Sequence, residues 1–415
     1  MNMLIATILS LVLHVQAGES LNAALETARA VYAQRGEKTT IRIEPGTYRE
    51  ELTIDVPGLK LINASRKPSI GLKNHGVDCD ENAVRITWYY GHGYQYKSMG
   101  NRINYGGSRE RRWNASVLVT APDFYAENII FENSFNLYVC DLEAADSLVD
   151  ISQSDMPWTE KERPKKMMPE RPKEVGSIEV QLRRFRERAA AISFTETATN
   201  ARLKNCRATG RQDVLYGDEG ASIYWQGGIL QGGVDFIFGA MTMAVDHATI
   251  VANINSEKGD KCYIAAGRSG DDPSTHTNLP PLKGGLGRDS ITHHRGLLFY
   301  NCHIRLANEN ELADPITNQP SAISHQPSAV FLARPWRWWG ETVWAYTTWD
   351  EGILNPEGWS LGLVKNKEGF NPENPCPNSY EFRSQDHSAG RPGWVKVLNK
   401  PILPDGTRLD PKRWK

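Results

Sequence analysis

Thr209-Gly-Arg-Gln-Asp-Val-Leu-Tyr216 and, a little further on, Gln231-Gly-Gly-Val-Asp-Phe-Ile-Phe-Gly239 are the segments from which the fold can be read. Asp213 and Asp235 stand 22 residues apart, and so do Gly210 and Gly232 in the turns that precede them. A spacing shared by the framework and the carboxylates is a repeat. Working outward, Ala201-Arg-Leu-Lys-Asn-Cys-Arg207, Ser222-Ile-Tyr-Trp-Gln-Gly-Gly228 and Ala244-Val-Asp-His-Ala-Thr-Ile250 begin at intervals of 21 and 22 residues. Each is short, partly β-branched or aromatic, and followed by a turn. Similar pieces occur at Tyr125-Ala-Glu-Asn-Ile-Ile-Phe-Glu-Asn133 and Gly296-Leu-Leu-Phe-Tyr-Asn-Cys-His303. Short strands recurring about every 20 to 25 residues, with no helical pattern between them, predict a parallel β-helix in which each coil stacks on the last. Strands in such a sheet lie roughly 4.8 Å apart, so residues one period apart come almost into vertical alignment. Asp213 and Asp235 then become neighbours on one face. As isolated aspartates they would read as turn residues facing water. The apolar Phe236-Ile-Phe238 that follows Asp235 is unlike a loop, and it favours a functional pair.

Gly210-Arg-Gln-Asp-Val-Leu-Tyr216, Gly233-Val-Asp-Phe-Ile-Phe-Gly239, Leu332-Ala-Arg-Pro-Trp336 and Pro356-Glu-Gly-Trp359 resemble four successive motifs of the pectin methylesterase (pectinesterase) family, in that family's order. Gly46-Thr-Tyr-Arg-Glu50 resembles its first coil, so the likeness runs over residues 20–362. It implies an all-β chain, a right-handed parallel β-helix with an N-terminal capping helix and long loop insertions. It also implies a carboxylic ester hydrolase that removes methyl esters from uronic acid residues of pectin or another methyl-esterified polyuronate. Ester hydrolysis needs a nucleophile, a proton carrier and donors for the developing oxyanion. Two adjacent carboxylates supply the first two if their surroundings keep one ionised and the other protonated. On the resemblance, Asp235 is the nucleophile and Asp213 the acid that protonates methanol and then the base that activates water. Gln212 donates to the oxyanion, and Arg334 orients Asp235 and keeps it ionised. Trp336 is a sugar platform, with Phe236, Tyr216 and Arg188 as further substrate-binding positions. The plainer readings are that Gln212 and Trp336 serve turn and packing and that Arg334 is a surface charge. One position departs from the family: where it has a glutamine before Ala-Val-Ala-Leu, supplying a second oxyanion donor, this chain has Arg188-Ala-Ala-Ala-Ile192.

Other chemistries find little support. No Gly-x-Ser-x-Gly, His-Glu-x-x-His or phosphate-loop string occurs, which argues against a serine hydrolase, a zinc protease or a nucleotide enzyme. Gly91-His-Gly93 faintly resembles the polygalacturonases, which also use a parallel β-helix and paired carboxylates, and a non-catalytic carbohydrate-binding β-helix is the remaining alternative. Lys and Arg number 48 against 49 Asp and Glu, so net charge makes no case for nucleic acid or an anionic membrane. The six cysteines, at 79, 140, 206, 262, 302 and 376, form no Cys-x-x-Cys pair, and neither metal nor cofactor is expected. In an exported protein they can form disulfides, although Cys206 and Cys302 sit at matching strand positions that suit buried free thiols.

Residues 1–17 predict a signal peptide: an apolar run over residues 4–13 ends in Val15-Gln-Ala17, a small-residue cleavage pattern. No Lys or Arg precedes the run, and a short membrane anchor is the competing reading. The expectation is an exported protein, periplasmic or secreted, monomeric, and free of the membrane after cleavage. Residues 18–415 then form a single domain, since solenoids run long as one unit. Glu19-Ser-Leu-Asn-Ala-Ala-Leu-Glu-Thr-Ala-Arg-Ala-Val-Tyr32 has helical apolar spacing at Leu21, Ala24, Leu25 and Ala28, with Ser20 as N-cap. Strands are expected at residues 39–44, 52–55 and 59–63. Insertions interrupt the repeat at about residues 85–115 and 138–187, with further loops at 267–294 and 306–328. Solenoid insertions leave the stack as loops, often on the binding face. The first mixes Trp88, Tyr89, Tyr90, Tyr94, Tyr96, Tyr105 and Trp113 with Arg102, Arg109, Arg111 and Arg112. These either wall a polyuronate groove or pack on the coil beneath. The second reads as a solvated loop, helical toward residues 181–187, and the tail from about residue 365 as a segment folded along the outside of the stack.

Overall fold

The computed structural model describes residues 10–100, 112–149, 169–269, 295–314, 328–366, 370–385 and 390–414. Among these, the strands form three parallel sheets of eleven, eight and seven strands and one short antiparallel pair. A typical coil contributes one strand to each sheet in turn. Ala201–Lys204, Arg207–Thr209 and Leu215–Gly217 make one coil, and Ser222–Gln226, Ile229–Gly232 and Val234–Gly239 make the next. Every sheet pairs a strand with its counterparts one coil before and after, which is the register of a parallel β-helix. The pairings Ala201↔Ile223 and Ile223↔Met243 make these two coils 22 and 20 residues long. The strand expected at residue 244 therefore begins earlier, at Thr242.

The turns after five strands of the eleven-stranded sheet show why the stack can repeat. Asn128, Asn205, His247, Asn301 and Tyr346 all adopt positive φ there, between 46° and 58°. One left-handed residue lets the chain corner within a single position, and Asn tolerates that conformation better than most residues. Asn205 Nδ2 also donates to Asn128 Oδ1 at 2.6 Å, so successive corners form a side-chain ladder. Inside the coil, inward residues stack by type, as in the parallel rings of Phe299 and Trp344, whose centroids are 3.8 Å apart. Cys206 and Cys302 are buried in this interior, and all six cysteines are free.

The helix Leu21–Arg35 buries Leu21, Leu25 and Ala28 against the first coils, and Ser20 Oγ accepts from the Ala23 amide at 3.3 Å. Sequence reading missed a second cap. The Glu50 carboxylate, arriving from the adjacent coil, accepts from the amides of Leu21 at 2.7 Å and Asn22 at 3.0 Å. A negative group at a helix N-terminus satisfies otherwise orphaned N–H groups and suits the helix dipole.

One observation bears on the expected leader, and two expectations, on the second insertion and the tail, are corrected. Leu11–Val15, inside the expected leader, is an outer strand of the eleven-stranded sheet paired with Thr39–Ile43, with Val15 buried; cleavage after Ala17 would remove it. In the second insertion the charges are specific. Arg171 is buried, donates to Glu143 Oε1 at 2.7 Å and lies 3.8 Å from the centre of the Phe135 ring, while residues 179–185 form two 3₁₀ turns. The tail is partly integral to the stack, since Ser379–Phe382 and Lys396–Val397 extend the eleven-stranded sheet. Only its last part lies along the outside, where Leu403, Leu409 and Trp414 pack on Leu298 and Val343. Most of the 267–294 and 306–328 loops lies outside the described residues, and no described helix is long and apolar enough to cross a membrane.

Candidate active site

Asp213 and Asp235 lie at the edge of the seven-stranded sheet, Asp213 in the turn before Leu215–Gly217 and Asp235 near the start of Val234–Gly239. Gln212 bridges Val234, and the Asp213 amide donates to the Val234 carbonyl at 3.0 Å, so the two aspartates sit on adjacent coils. Both have positive φ, 57° and 47°. The corner residues elsewhere share that geometry, so positive φ alone does not mark the site. What it does is turn the chain beside a close-packed interior. A Cβ on Gly232 would stand 2.3 Å from Phe236 Cβ, so only glycine lets Phe236 swing inward. This corrects the reading of Phe236 as a substrate contact: it is 1 % exposed and belongs to the core. Asp235 instead faces outward.

The two carboxyls are treated differently by their surroundings. Arg334 grips Asp235 with Nε to Oδ1 at 3.1 Å and Nη2 to Oδ2 at 2.5 Å. Its guanidinium rests on Tyr263, 4.1 Å from the ring centre. Burial raises the Asp235 pKa, and Arg334 opposes that rise by favouring the ionised form. Asp213 is more deeply buried, and its nearest cation, Arg188, is 3.6 Å away through Nε. Burial first, and the charge of Asp235 second, hold the Asp213 carboxyl well above the usual carboxylate range. The arrangement therefore favours a protonated Asp213 beside an ionised Asp235.

A cleft of about 80 Å³ opens over the pair, lined by Trp113, Arg188, Gln212, Asp213, Asp235, Phe238, Ala266 and Trp336. The Gln212 side chain makes no hydrogen bond among the described residues, so its amide N–H groups can serve a ligand. Arg188 lies over Trp113, 5.0 Å from the ring centre. Trp336 packs against Trp113 and Phe238 and is flanked by the guanidiniums of Arg268 and Arg337. Tyr216 stands behind this wall, buried against Phe238, with its hydroxyl donating to Asp218 Oδ1 at 2.5 Å. A wider hollow of about 370 Å³, lined by Arg112, Glu196, Asp218, Glu219 and Arg268, lies at the far ends of the same strands. Trp359, from the last motif, is buried with its indole N–H on Glu381 Oε1, and its coil bridges Ala333 beside Arg334. It supports the arginine rather than the cleft.

The first insertion is corrected as a groove wall. Tyr89, Tyr90, Tyr94 and Tyr96 are buried together with Phe135 and Tyr138 in a satellite core. Arg102, Tyr105, Arg109 and Arg111 lie outside the described residues. Among the described aromatics of that run, Trp113 alone lines the cleft. Phe238 and Ala266 are lining residues that were overlooked: simple alternation would turn Phe238 inward with Phe236, and the register shift between Val234 and Ile237 brings it instead to the cleft beside Asp235.

These features define a class, a parallel β-helix protein with a paired-carboxylate site on the outer edge of one sheet. The family model described as Pectinesterase matches residues 180–280, which contain Arg188, Gln212, Asp213 and Asp235. Among relatives, a probable pectinesterase/pectinesterase inhibitor 58 of Arabidopsis thaliana is 23 % identical over 80 % of this chain and 45 % of its own length. Pectinesterase 31 of the same plant is 24 % identical over 80 % of this chain and 70 % of its length. The chain spans less than half the length of the first two relatives it matches, 25 % and 45 %. Among solved structures, the pectin methylesterase of Yersinia enterocolitica shares the fold with a TM-score of 0.56 at 21 % identity, over 91 % of this chain and 93 % of that one. Pectin methylesterase PemA of Erwinia chrysanthemi does so at 0.55 and 19 %, over 93 % and 92 %.

Proposed function

We propose that this protein is a pectin methylesterase, a carboxylic ester hydrolase that releases methanol from methyl-esterified uronic acid residues and acts outside the cytoplasm. The observation that carries the reading is the asymmetry of the carboxyl pair, with Asp235 held by Arg334 and Asp213 raised by burial. In this mechanism an Asp235 oxygen attacks the ester carbonyl carbon, and negative charge collects on the carbonyl oxygen near the Gln212 amide. Collapse breaks the carbon–methoxy bond while the Asp213 proton passes to the leaving oxygen, giving methanol and an acyl-enzyme anhydride. Asp213, now ionised, takes a proton from water, which attacks the acyl carbon and frees Asp235 and the acid product. Trp336 and Trp113 offer apolar faces to sugar rings, and the polar hollow beyond Arg268 gives room for neighbouring residues of the polymer. A related pectin methylesterase has been solved in complex with a hexasaccharide, which supports an oligosaccharide as ligand here.

Methanol release from methylated pectin tests this directly, with reducing-end release and binding alone measured beside it. Asp235→Asn and Asp213→Asn should each lower turnover by about 10³-fold or more with the β-helix fold retained, because each keeps its size and loses only ionisation. Reducing ends without methanol would favour the glycosidase alternative, and binding with neither product a carbohydrate-binding solenoid.

A further inference from the structure

Beside the cleft, three charged side chains form a unit that the ester chemistry leaves unexplained. Asp260 is fully buried and accepts from Arg186 Nη1 at 2.7 Å and from Arg211 Nη2 at 2.8 Å. The Asn255 amide donates to the same carboxylate at 3.1 Å. Arg211 is fully buried too, and its Nε and Nη1 have no hydrogen-bond partner among the described residues. Desolvation offsets most of the attraction in a buried ion pair, so a triad with one cation only partly bonded is a poor source of stability. Its place in the stack supplies another reason for it. Arg188, Gln212, Val234 and Tyr263 occupy one register column in successive coils. Arg186 enters the first of these coils, Arg211 belongs to the second, and Asp260 leads into the fourth. The third carries Asp235. The carbonyl of Arg211 also accepts from the amides of Gly233 at 2.7 Å and Val234 at 2.9 Å, which fixes the turn ahead of Asp235.

We propose that Arg186, Asp260 and Arg211 form a positioning triad for the ester site, clamping the coils on both sides of Asp235 and presenting a net positive charge to the carboxyl pair. The naming of the site as an ester site rests on the esterase reading above. The three side chains together carry one net positive charge, with the Glu257 carboxylate also acting on Arg211. Among the described residues, the charged and titratable groups around Asp235 include Arg334, Asp213, Arg188, Arg186, Cys262 and Tyr263, with Glu187 acting on Asp213 and Glu257 on Arg211. Arg186 is among the cations that counter the effect of burial on Asp235. Arg211 and Asp260 hold each other within the stack, and Arg186, at its edge, supplies the surplus charge.

The test is to remove that charge while keeping the Arg211–Asp260 pair. In Arg186→Gln, the carboxyl titration of Asp235 is followed by ¹³C NMR on protein labelled at aspartate carboxyls, with Asp235→Asn giving the assignment, and compared with the pH profile of kcat/KM. The midpoint should rise by about 0.5 to 1 pH unit, the scale for losing one nearby charge in a partly screened site. The acid limb of kcat/KM should move with it, and Arg186→Lys should return both toward wild type. Arg186→Met, which keeps the apolar stem, is the second charge-removing variant. A midpoint unmoved in both Arg186→Gln and Arg186→Met overturns the proposal, whatever happens to the melting temperature. The NMR titration needs no substrate, so a failure to release methanol would count against the esterase reading and leave the triad to be judged on its own.

Discussion

Arg334 holds Asp235 through two hydrogen bonds, of 3.1 and 2.5 Å, whereas Asp213 on the adjacent coil has its nearest guanidinium, that of Arg188, at 3.6 Å. One carboxyl has a fixed cation and the other mainly a dry environment. Burial raises both carboxyls, and Arg334 makes Asp235 the more readily ionised of the two.

Arg334→Gln should therefore damage the reaction through pH as well as through rate. Loss of the guanidinium leaves burial unopposed by its strongest counter-charge, so the Asp235 pKa rises further and the acid limb of kcat/KM moves to higher pH. A loss of about 10²-fold or more at neutral pH, partly recovered at higher pH, is the expected pattern. A pH-independent loss would mean that Arg334 acts only by orienting the carboxylate.

Asp213 makes a stability prediction that needs no substrate. Its folded-state pKa lies above its unfolded value, so the folded chain retains a proton that the unfolded chain has lost. The associated stability is complete below the unfolded pKa and is lost as pH rises through the folded pKa. Asp213→Asn should accordingly gain in melting temperature relative to wild type as pH rises from about 4 to 8. Parallel melting curves across that range would contradict a raised Asp213 pKa.

Arg188 can serve in two ways, and kinetics separate them. As an oxyanion donor in place of the family's glutamine, its loss in Arg188→Ala should cost about 10²-fold in kcat. As a reader of an acidic sugar beside the ester, its loss should raise KM and do so differently on differently decorated substrates. Its position over Trp113, with much of the side chain exposed at the cleft, favours the second outcome. If neither constant moves, Arg188 has no part in the reaction.

The aromatic residues of the first insertion divide by burial. Tyr89→Ala and Tyr90→Ala should each destabilise the fold by about 3 kcal/mol, as truncation of a buried aromatic does, with little direct effect on KM. Trp113→Ala should raise KM for polymer, because its ring forms cleft wall. Thermal melts and polymer kinetics on the three variants check the division, and a KM effect of the tyrosine variants without a stability loss would reverse it.

Much of this molecule is written locally in its chain. The period that brings Asp213 beside Asp235, the Asn corners, the Ser20 cap and the motif order each depend on residues within a coil or on a fixed spacing, and such patterns survive without a tertiary context. Other features arise only when distant coils meet. Phe236 and Ile237 both enter the core and Phe238 turns to the cleft because the register shift between Val234 and Ile237 breaks the simple alternation of the strand. The insertion tyrosines are buried because residues 135–140 come back to cover them. Glu50 caps the helix, Asp260 joins Arg186 to Arg211, and Leu11–Val15 pairs with Thr39–Ile43 through contacts between segments far apart in sequence. Periodicity determines which residues share a coil position, whereas burial and charge pairing depend on which surface finally covers them, and only the packed tertiary structure decides that.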